Sequence, residues 1–163
     1  MAALTVSNYL GMLQADPHDE KAIEGLREAV ASGDPARLGE QPQRLIEIAR
    51  GRHEQRGEFE ASAGLIDVET GMVSDDPEFL VALYRELARL RRQELLDDAA
   101  AIEAYRKVLE WVPNDPDAEE AIEQIEGAAA NWKQIVERFA QEAETATEPS
   151  LKASLYTSAA GLV

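Results

Sequence analysis

The sequence has 163 residues, 32 acidic against 16 basic side chains, and a formal net charge of −16. That charge argues against nucleic acid and against an anionic membrane surface as partners, because both would repel the chain. The absence of cysteine excludes disulfides, cysteine-ligated zinc and thiol catalysis. An Ala-, Glu- and Leu-rich composition without runs of strand-forming residues predicts an all-α protein.

The amino terminus is not expected to be a signal peptide. MAALTVSNYLGMLQADPHDE lacks both the basic segment and the sustained apolar core of a signal peptide. Nowhere does the chain approach the roughly 18 consecutive apolar residues of a membrane-spanning helix. Together with the absence of cysteine, these features favour the cytoplasm.

Residues 1–33 are predicted to form a helix hairpin. The first helix covers residues 5–14, and Asp16-Pro17 starts the second, because an acidic cap followed by proline suits a helix amino terminus. Gly33 follows the second helix at the point where a left-handed terminating residue is favoured.

Residues 34–75 are predicted to form the next pair. Pro42 should break or kink the chain, so that a firm helix runs from about Gln43 to Arg56. Gly57-Glu58-Phe59 forms the tight turn, and a second helix continues to about Gly71. The residues predicted to form the buried side of the first helix are Leu45, Ile48 and Ala49, with Ile46 flanking them.

Residues 76–114 are predicted to form a third pair. Asp76-Pro77 opens a helix in which every third or fourth residue is leucine (Leu83, Leu87, Leu90), so one face is apolar. The following helix carries Ala101, Tyr105 and Val108 at similar spacing. Pro113 should end that helix, because proline has no amide donor and crowds the preceding turn.

Residues 115–147 are predicted to form a fourth pair, and residues 148–163 an incomplete final helix. Asp115 should cap the first helix, with Pro116 in its first turn, and this helix should end near Gly127. Asn131 should cap a separate helix. The two tryptophans, Trp111 and Trp132, lie on or beside apolar stripes and are predicted to be core residues.

The helix pairs are punctuated by acid-proline junctions throughout the chain. Successive junctions are separated by about one helix pair, which is typical of helical-repeat proteins. Residues 1–163 are therefore predicted to form a single repeat array. The junctions begin at Asp16, Asp34, Asp76, Asp115 and Glu148.

The helix pairs resemble tetratricopeptide repeats, in the loose form found in long bacterial arrays. Ala88 resembles the small residue of the motif's first helix. Ala101 and Tyr105 resemble the small and aromatic residues of its second helix, and Pro113 resembles the closing proline. Gly57-Glu58-Phe59 resembles the turn, followed by Ser62 and Ile66 at the second-helix positions. The resemblance implies a right-handed α-solenoid of antiparallel helix pairs; HEAT-like hairpins are the alternative.

Two features depart from that motif. Arg91 and Arg52 stand where the first helix would carry a bulky aromatic residue. Leu95 stands where the turn between Ala88 and Ala101 would carry glycine.

No motif points to catalysis. The only histidines, His18 and His53, have no second histidine at ligand spacing, so a transition-metal site is not expected. The acidic run at residues 114–120 lacks the central glycine of a calcium-binding loop and is explained by helix capping. We therefore expect no enzyme activity, no metal and no cofactor.

One basic row stands out in this acidic chain. Arg85, Arg89 and Arg92 recur along one helix, away from its leucine stripe, and Arg50 and His53 take comparable places in the preceding first helix. By resemblance to tetratricopeptide repeats, these positions line the concave groove that holds peptides. An alternative is that carboxylates of neighbouring helices neutralise the row.

The resulting expectation is a non-catalytic scaffold or adaptor. Its groove would bind a peptide or helix of another protein, possibly one that is acidic or ends in a free carboxylate. The alternative is a structural or oligomerisation segment of a larger repeat protein that self-associates through its terminal helices.

Overall fold

The computed structural model describes residues 4–73 and 76–160. Within those ranges every regular element is a helix and none is a strand, as the composition predicts. The helices are α1 (Val6–Ala15), α2 (Glu20–Ser32), α3 (Pro35–Leu38), α4 (Pro42–Gln55), α5 (Phe59–Thr70), α6 (Pro77–Gln93), α7 (Asp98–Trp111), α8 (Pro116–Thr145) and α9 (Pro149–Ala160).

Acidic caps set most of the helix starts. Asp76 accepts a hydrogen bond from the backbone N–H of Phe79, and Asp115 accepts one from that of Ala118, each at 3.0 Å. Each satisfies a backbone donor that has no partner inside its helix. The predicted start at Asp16 is wrong by a few residues: Asp16 accepts from the N–H of His18 in a turn, and Asp19 caps α2.

Short turns join helices that pack against each other in pairs, namely α1 with α2, α4 with α5, and α6 with α7. Gly57 forms the α4–α5 turn at φ 75°, in the left-handed region that favours glycine. The α6–α7 turn places Leu96 at φ 53°, without glycine. The predicted left-handed Gly33 after α2 is confirmed at φ 62°.

The core is a set of apolar clusters between neighbouring helices. One cluster joins α1, α2, α4 and α5 and includes Leu13, Leu26, Ile46 and Leu65. A second cluster joins α5, α6 and α7, and the predicted leucine stripe of α6 lies inside it: Leu83, Leu87 and Leu90 are 1%, 6% and 0% exposed. A third, smaller cluster brings Val81, Val108 and Ala118 together.

The predicted buried side of α4 is wrong. Leu45 and Ile48 are exposed, at 36% and 42%, whereas Ile46 is fully buried. Ile46 and His53 are seven residues apart and share a helix face, and α4 packs against α1 and α5. The core-facing side of α4 is therefore rotated relative to the predicted stripe.

The predicted break between residues 127 and 131 is absent. α8 is one continuous helix, because Gly127 is followed by alanines that favour helix, and Asn131 lies inside it. The prediction for the tryptophans is also wrong, since Trp111 is 45% and Trp132 is 50% exposed. The start of α9 at Pro149 is as predicted.

The chain contacts divide into two compact units, the first ending at Glu119 and the second beginning at Glu120. The first unit contains α1 to α7 and the first turn of α8. The second contains the remainder of α8 and α9. Among the described helices, none is both long and apolar enough to cross a membrane.

Candidate functional site

The predicted arginine row lies mainly at the junction of α4 and α6, where Arg50 connects three helices. Its Nε is 2.9 Å from a carboxylate oxygen of Glu69 on α5, and its Nη1 donates to Glu86 on α6 at 2.7 Å. Only 14% of the Arg50 side chain is exposed. A guanidinium that bridges two carboxylates at this depth holds α4, α5 and α6 together.

Glu69 is the most unusual ionisable group of this junction. Its side chain is fully buried, and its contact with Nε of Arg50 at 2.9 Å lacks the alignment of a regular hydrogen bond. Burial raises the pKa of Glu69 above its ordinary value, and the positive charge of Arg50 offsets part of that effect. Glu69 and Glu86 therefore share the guanidinium of Arg50. The two negative charges repel each other, and this repulsion offsets part of the attraction of each carboxylate to Arg50.

The other members of the row also meet carboxylates of this chain. Arg89 donates to Glu54 on α4 at 2.7 Å, which makes a second bridge between α4 and α6. Arg85 donates to Asp115, the buried residue that caps α8. The chain's own acidic residues therefore neutralise Arg50, Arg85 and Arg89, which is the alternative that the sequence left open.

The two remaining predicted residues differ from the rest of the row. His53 is 3% exposed and its Nδ1 is 2.6 Å from Glu58, so its ring packs in the interior beside the α4–α5 turn. Arg92 is half-buried at the end of α6 and has no carboxylate within ion-pair distance among the described residues. Of the five predicted residues, Arg92 is the one whose charge is left without a partner in that part of the chain.

A groove of about 330 Å³ lies between α1 and α4. Its floor and walls are mostly apolar and include Leu10 of α1 with Leu45, Ile48 and Ala49 of α4. Gly11 opens its α1 side, where a Cβ atom would have no neighbour within 4 Å. Because Leu45 and Ile48 are exposed, this groove presents apolar surface to solvent.

Three arginines outside the predicted site residues lie along this groove and the hollow next to it. Arg44, Arg52 and Arg56 are exposed, and within the described residues none has a carboxylate oxygen within 4.0 Å. Arg52 and Arg56 line the groove, and Arg44 lines the adjoining hollow that also includes Ile48 and Arg52. We call Arg44, Leu45, Ile48, Arg52 and Arg56 the α4 face. In the sequence, this face is indicated by Arg44, Ile48 and Arg52, which follow one another at intervals of four residues.

No protein-family model, no curated protein and no solved structure matches this chain.

Within residues 4–73 and 76–160, no three histidine, aspartate or glutamate side chains converge in a way that would hold a metal ion. The acidic cap Asp115, which stands in the acidic run of the sequence, is instead occupied by the guanidinium of Arg85 and the N–H of Ala118.

Proposed function

We propose that this chain is a non-catalytic interaction module of the cytoplasm, a tetratricopeptide-like solenoid that binds a peptide or helix of a partner protein. The packed pairs α4–α5 and α6–α7 support the repeat interpretation. So does the full burial of Ser62, Ala88 and Ala101, which the resemblance assigns to close helix contacts.

The α4 face is the observation that carries the binding proposal. Leu45 and Ile48 expose apolar surface beside a groove, and covering such surface contributes about 25 cal/mol for each Å² removed from water. A partner side chain seated against Leu10 and Ile48 would gain this contribution. The α4 face therefore offers an incoming helix both a groove and exposed apolar side chains.

Two members of the predicted arginine row support the same proposal because they fix the position of α4. Arg50 and Arg89 join α4 to α6 through Glu86 and Glu54, which fixes the backbone that carries the α4 face. A surface held rigid before binding loses less conformational freedom on association. Arg92 remains a candidate for direct contact with the partner.

A capture experiment in lysate of the native host tests this function. Wild-type chain, an Ile48→Asp variant and a Lys21→Gln variant, which alters an exposed residue outside the α4 face, are immobilised. Bound proteins are then quantified by mass spectrometry. We expect a protein that wild type and Lys21→Gln retain and Ile48→Asp loses. The proposal would be overturned if wild type retained no specific protein, or if all three chains retained the same proteins equally.

Self-association is the second candidate function. In the second unit, Trp132, Leu151 and Tyr156 are 50%, 50% and 44% exposed, and contact with a second copy would remove these apolar side chains from water. Sedimentation velocity at several concentrations tests it. Concentration-dependent dimers that Trp132→Ala abolishes would support this candidate, and a monomer at every concentration would reject it.

A further inference from the structure

The α4 face combines apolar and unpaired basic side chains in a strongly acidic chain. We propose that its partner is an acidic amphipathic helix of another protein, with apolar side chains over Leu45 and Ile48 and carboxylates against Arg44, Arg52 and Arg56. This inference rests on the proposed function and adds the chemistry of the partner to it.

Charge pairing elsewhere in the chain makes the α4 face unusual. With twice as many acidic as basic residues, an exposed arginine readily finds a carboxylate, as Arg27, Arg106 and Arg138 do within their own helices. The hollows along the α4 face include a single acidic residue, Glu47. Carboxylates are thus scarce where three arginines stand together.

These arginines also repel one another. Arg52 and Arg56 are four residues apart on α4, a spacing at which like charges destabilise a helix. A row of carboxylates from a partner would replace that repulsion with attraction and would favour encounter with acidic partners. The occupant that relieves the repulsion is therefore anionic.

The geometry selects a helix among anionic partners. From Arg44 to Arg56 the axis of α4 rises by about 18 Å, which matches about three turns of a partner helix laid along it. The apolar positions Leu45 and Ile48 lie between the arginines, so the partner needs an apolar stripe flanked by acids. Nucleic acid would supply the anions without that stripe, and the charge of −16 would repel it.

Designed peptides test the partner chemistry directly. The first probe is a fluorescein-labelled 15-residue peptide with leucines at alternating three- and four-residue spacing and glutamate at most other positions. The second replaces each glutamate with lysine. The third keeps the composition of the first but scrambles the order, which removes the apolar stripe. Fluorescence anisotropy measures binding of each peptide to the full chain.

We expect the acidic amphipathic peptide to bind, and to bind at least about tenfold more tightly than either comparison peptide. Replacing Arg44, Arg52 and Arg56 together with glutamine should weaken binding about tenfold, and Ile48→Asp should weaken it similarly. A control variant makes the same charge change elsewhere and should bind as wild type does; it replaces Arg27, Arg106 and Arg138 with glutamine. Circular dichroism establishes that each variant is folded.

Equal binding of the lysine or the scrambled peptide would overturn this partner assignment. Equal weakening by the control variant would overturn it as well. If no peptide binds but the host protein captured from lysate still depends on Ile48, the interaction module stands and the acidic helix is wrong. If the capture fails as well, the proposed function itself fails. Self-association that the triple glutamine variant abolishes would assign the α4 face to a second copy and reject the acidic partner.

Discussion

The ring of Tyr9 on α1 lies directly against the backbone of Gly25 on α2. A Cβ atom added at Gly25 would stand 2.4 Å from Cε1 of Tyr9, closer than carbon atoms approach without displacement. We expect Gly25→Ala to destabilise the first unit by about 0–2 kcal/mol, because moving the ring out of the contact costs about 1–3 kcal/mol and alanine inside α2 returns about 1 kcal/mol of helix propensity. Chemical denaturation followed by circular dichroism measures this change.

Gly11 provides the matched control on the neighbouring helix. A Cβ atom there has no neighbour within 4 Å, so alanine adds helix propensity without a clash. Gly11→Ala should stabilise the chain by about 0.5–1 kcal/mol. If Gly25→Ala were stabilising too, the close contact between Tyr9 and α2 would be wrong.

Arg85 and Arg92 both belong to the predicted arginine row, but of the two only Arg85 forms an ion pair with a carboxylate of the described residues. Arg85→Gln removes the partner of Asp115, a buried carboxylate that caps α8, and should cost about 1 kcal/mol of folding free energy. Arg92→Gln should change stability by less than about 0.5 kcal/mol, because no carboxylate of the described chain pairs with it. Thermal denaturation of both single variants compares them, and equal losses would contradict the assignment of Arg85 as a structural residue.

Glu69 should make the stability of the chain depend on pH. Because its pKa in the folded chain is raised above 4.5, the native state holds a proton more readily than the unfolded state. The cost of the ionised, buried carboxylate is therefore fully present above the folded pKa and disappears as the pH falls toward 4.5. Glu69→Gln should stabilise the chain at pH 7, and its advantage should shrink at pH 5.

Denaturation of wild type and variant at both pH values measures that difference. Glu28→Gln, which removes an exposed acid from the same unit, tests whether loss of any carboxylate has the same effect. An advantage of Glu69→Gln that grew on acidification would contradict the raised pKa.

Local features of the fold were predictable because neighbouring residues in the sequence determine them. The capping of Asp76 and Asp115 and the left-handed Gly33 depend on a few adjacent residues, and all were found as predicted. The leucine stripe of α6 was also predictable, since only one of its faces is apolar.

The orientation of α4 was not predictable, because apolar residues lie on more than one of its faces. Leu45, Ile46 and Ile48 allow several stripes, and packing against α1 and α5 selects the one through Ile46. The continuity of α8 was missed for a related reason. Gly127 and Asn131 are frequent at helix ends but are tolerated inside a long helix.

Only part of the candidate site was predictable from the sequence, because its ion pairs join residues that are distant along the chain. The arginine row could be seen in the sequence, but its carboxylate partners are distant along the chain: Glu86 for Arg50, Glu54 for Arg89, and Asp115 for Arg85. Local spacing cannot reveal which arginines are neutralised by such pairs. Arg44 and Arg52 become stronger candidates once the structure shows that no carboxylate of the described residues pairs with them.

Leu96 stores backbone strain in the α6–α7 turn. It adopts φ 53°, where a side chain costs roughly 1–2 kcal/mol, and it is 81% exposed, so its side chain contributes little packing in return. Leu96→Gly should therefore stabilise the chain by about 0.5–1 kcal/mol, after the extra flexibility of glycine in the unfolded chain is subtracted. Leu95→Gly is the control, because Leu95 packs against the second core cluster and its loss should destabilise by more than about 1 kcal/mol. Urea denaturation measures the stability of both variants. If Leu96→Gly were less stable than wild type, the leucine side chain would stabilise the turn by more than its left-handed conformation costs.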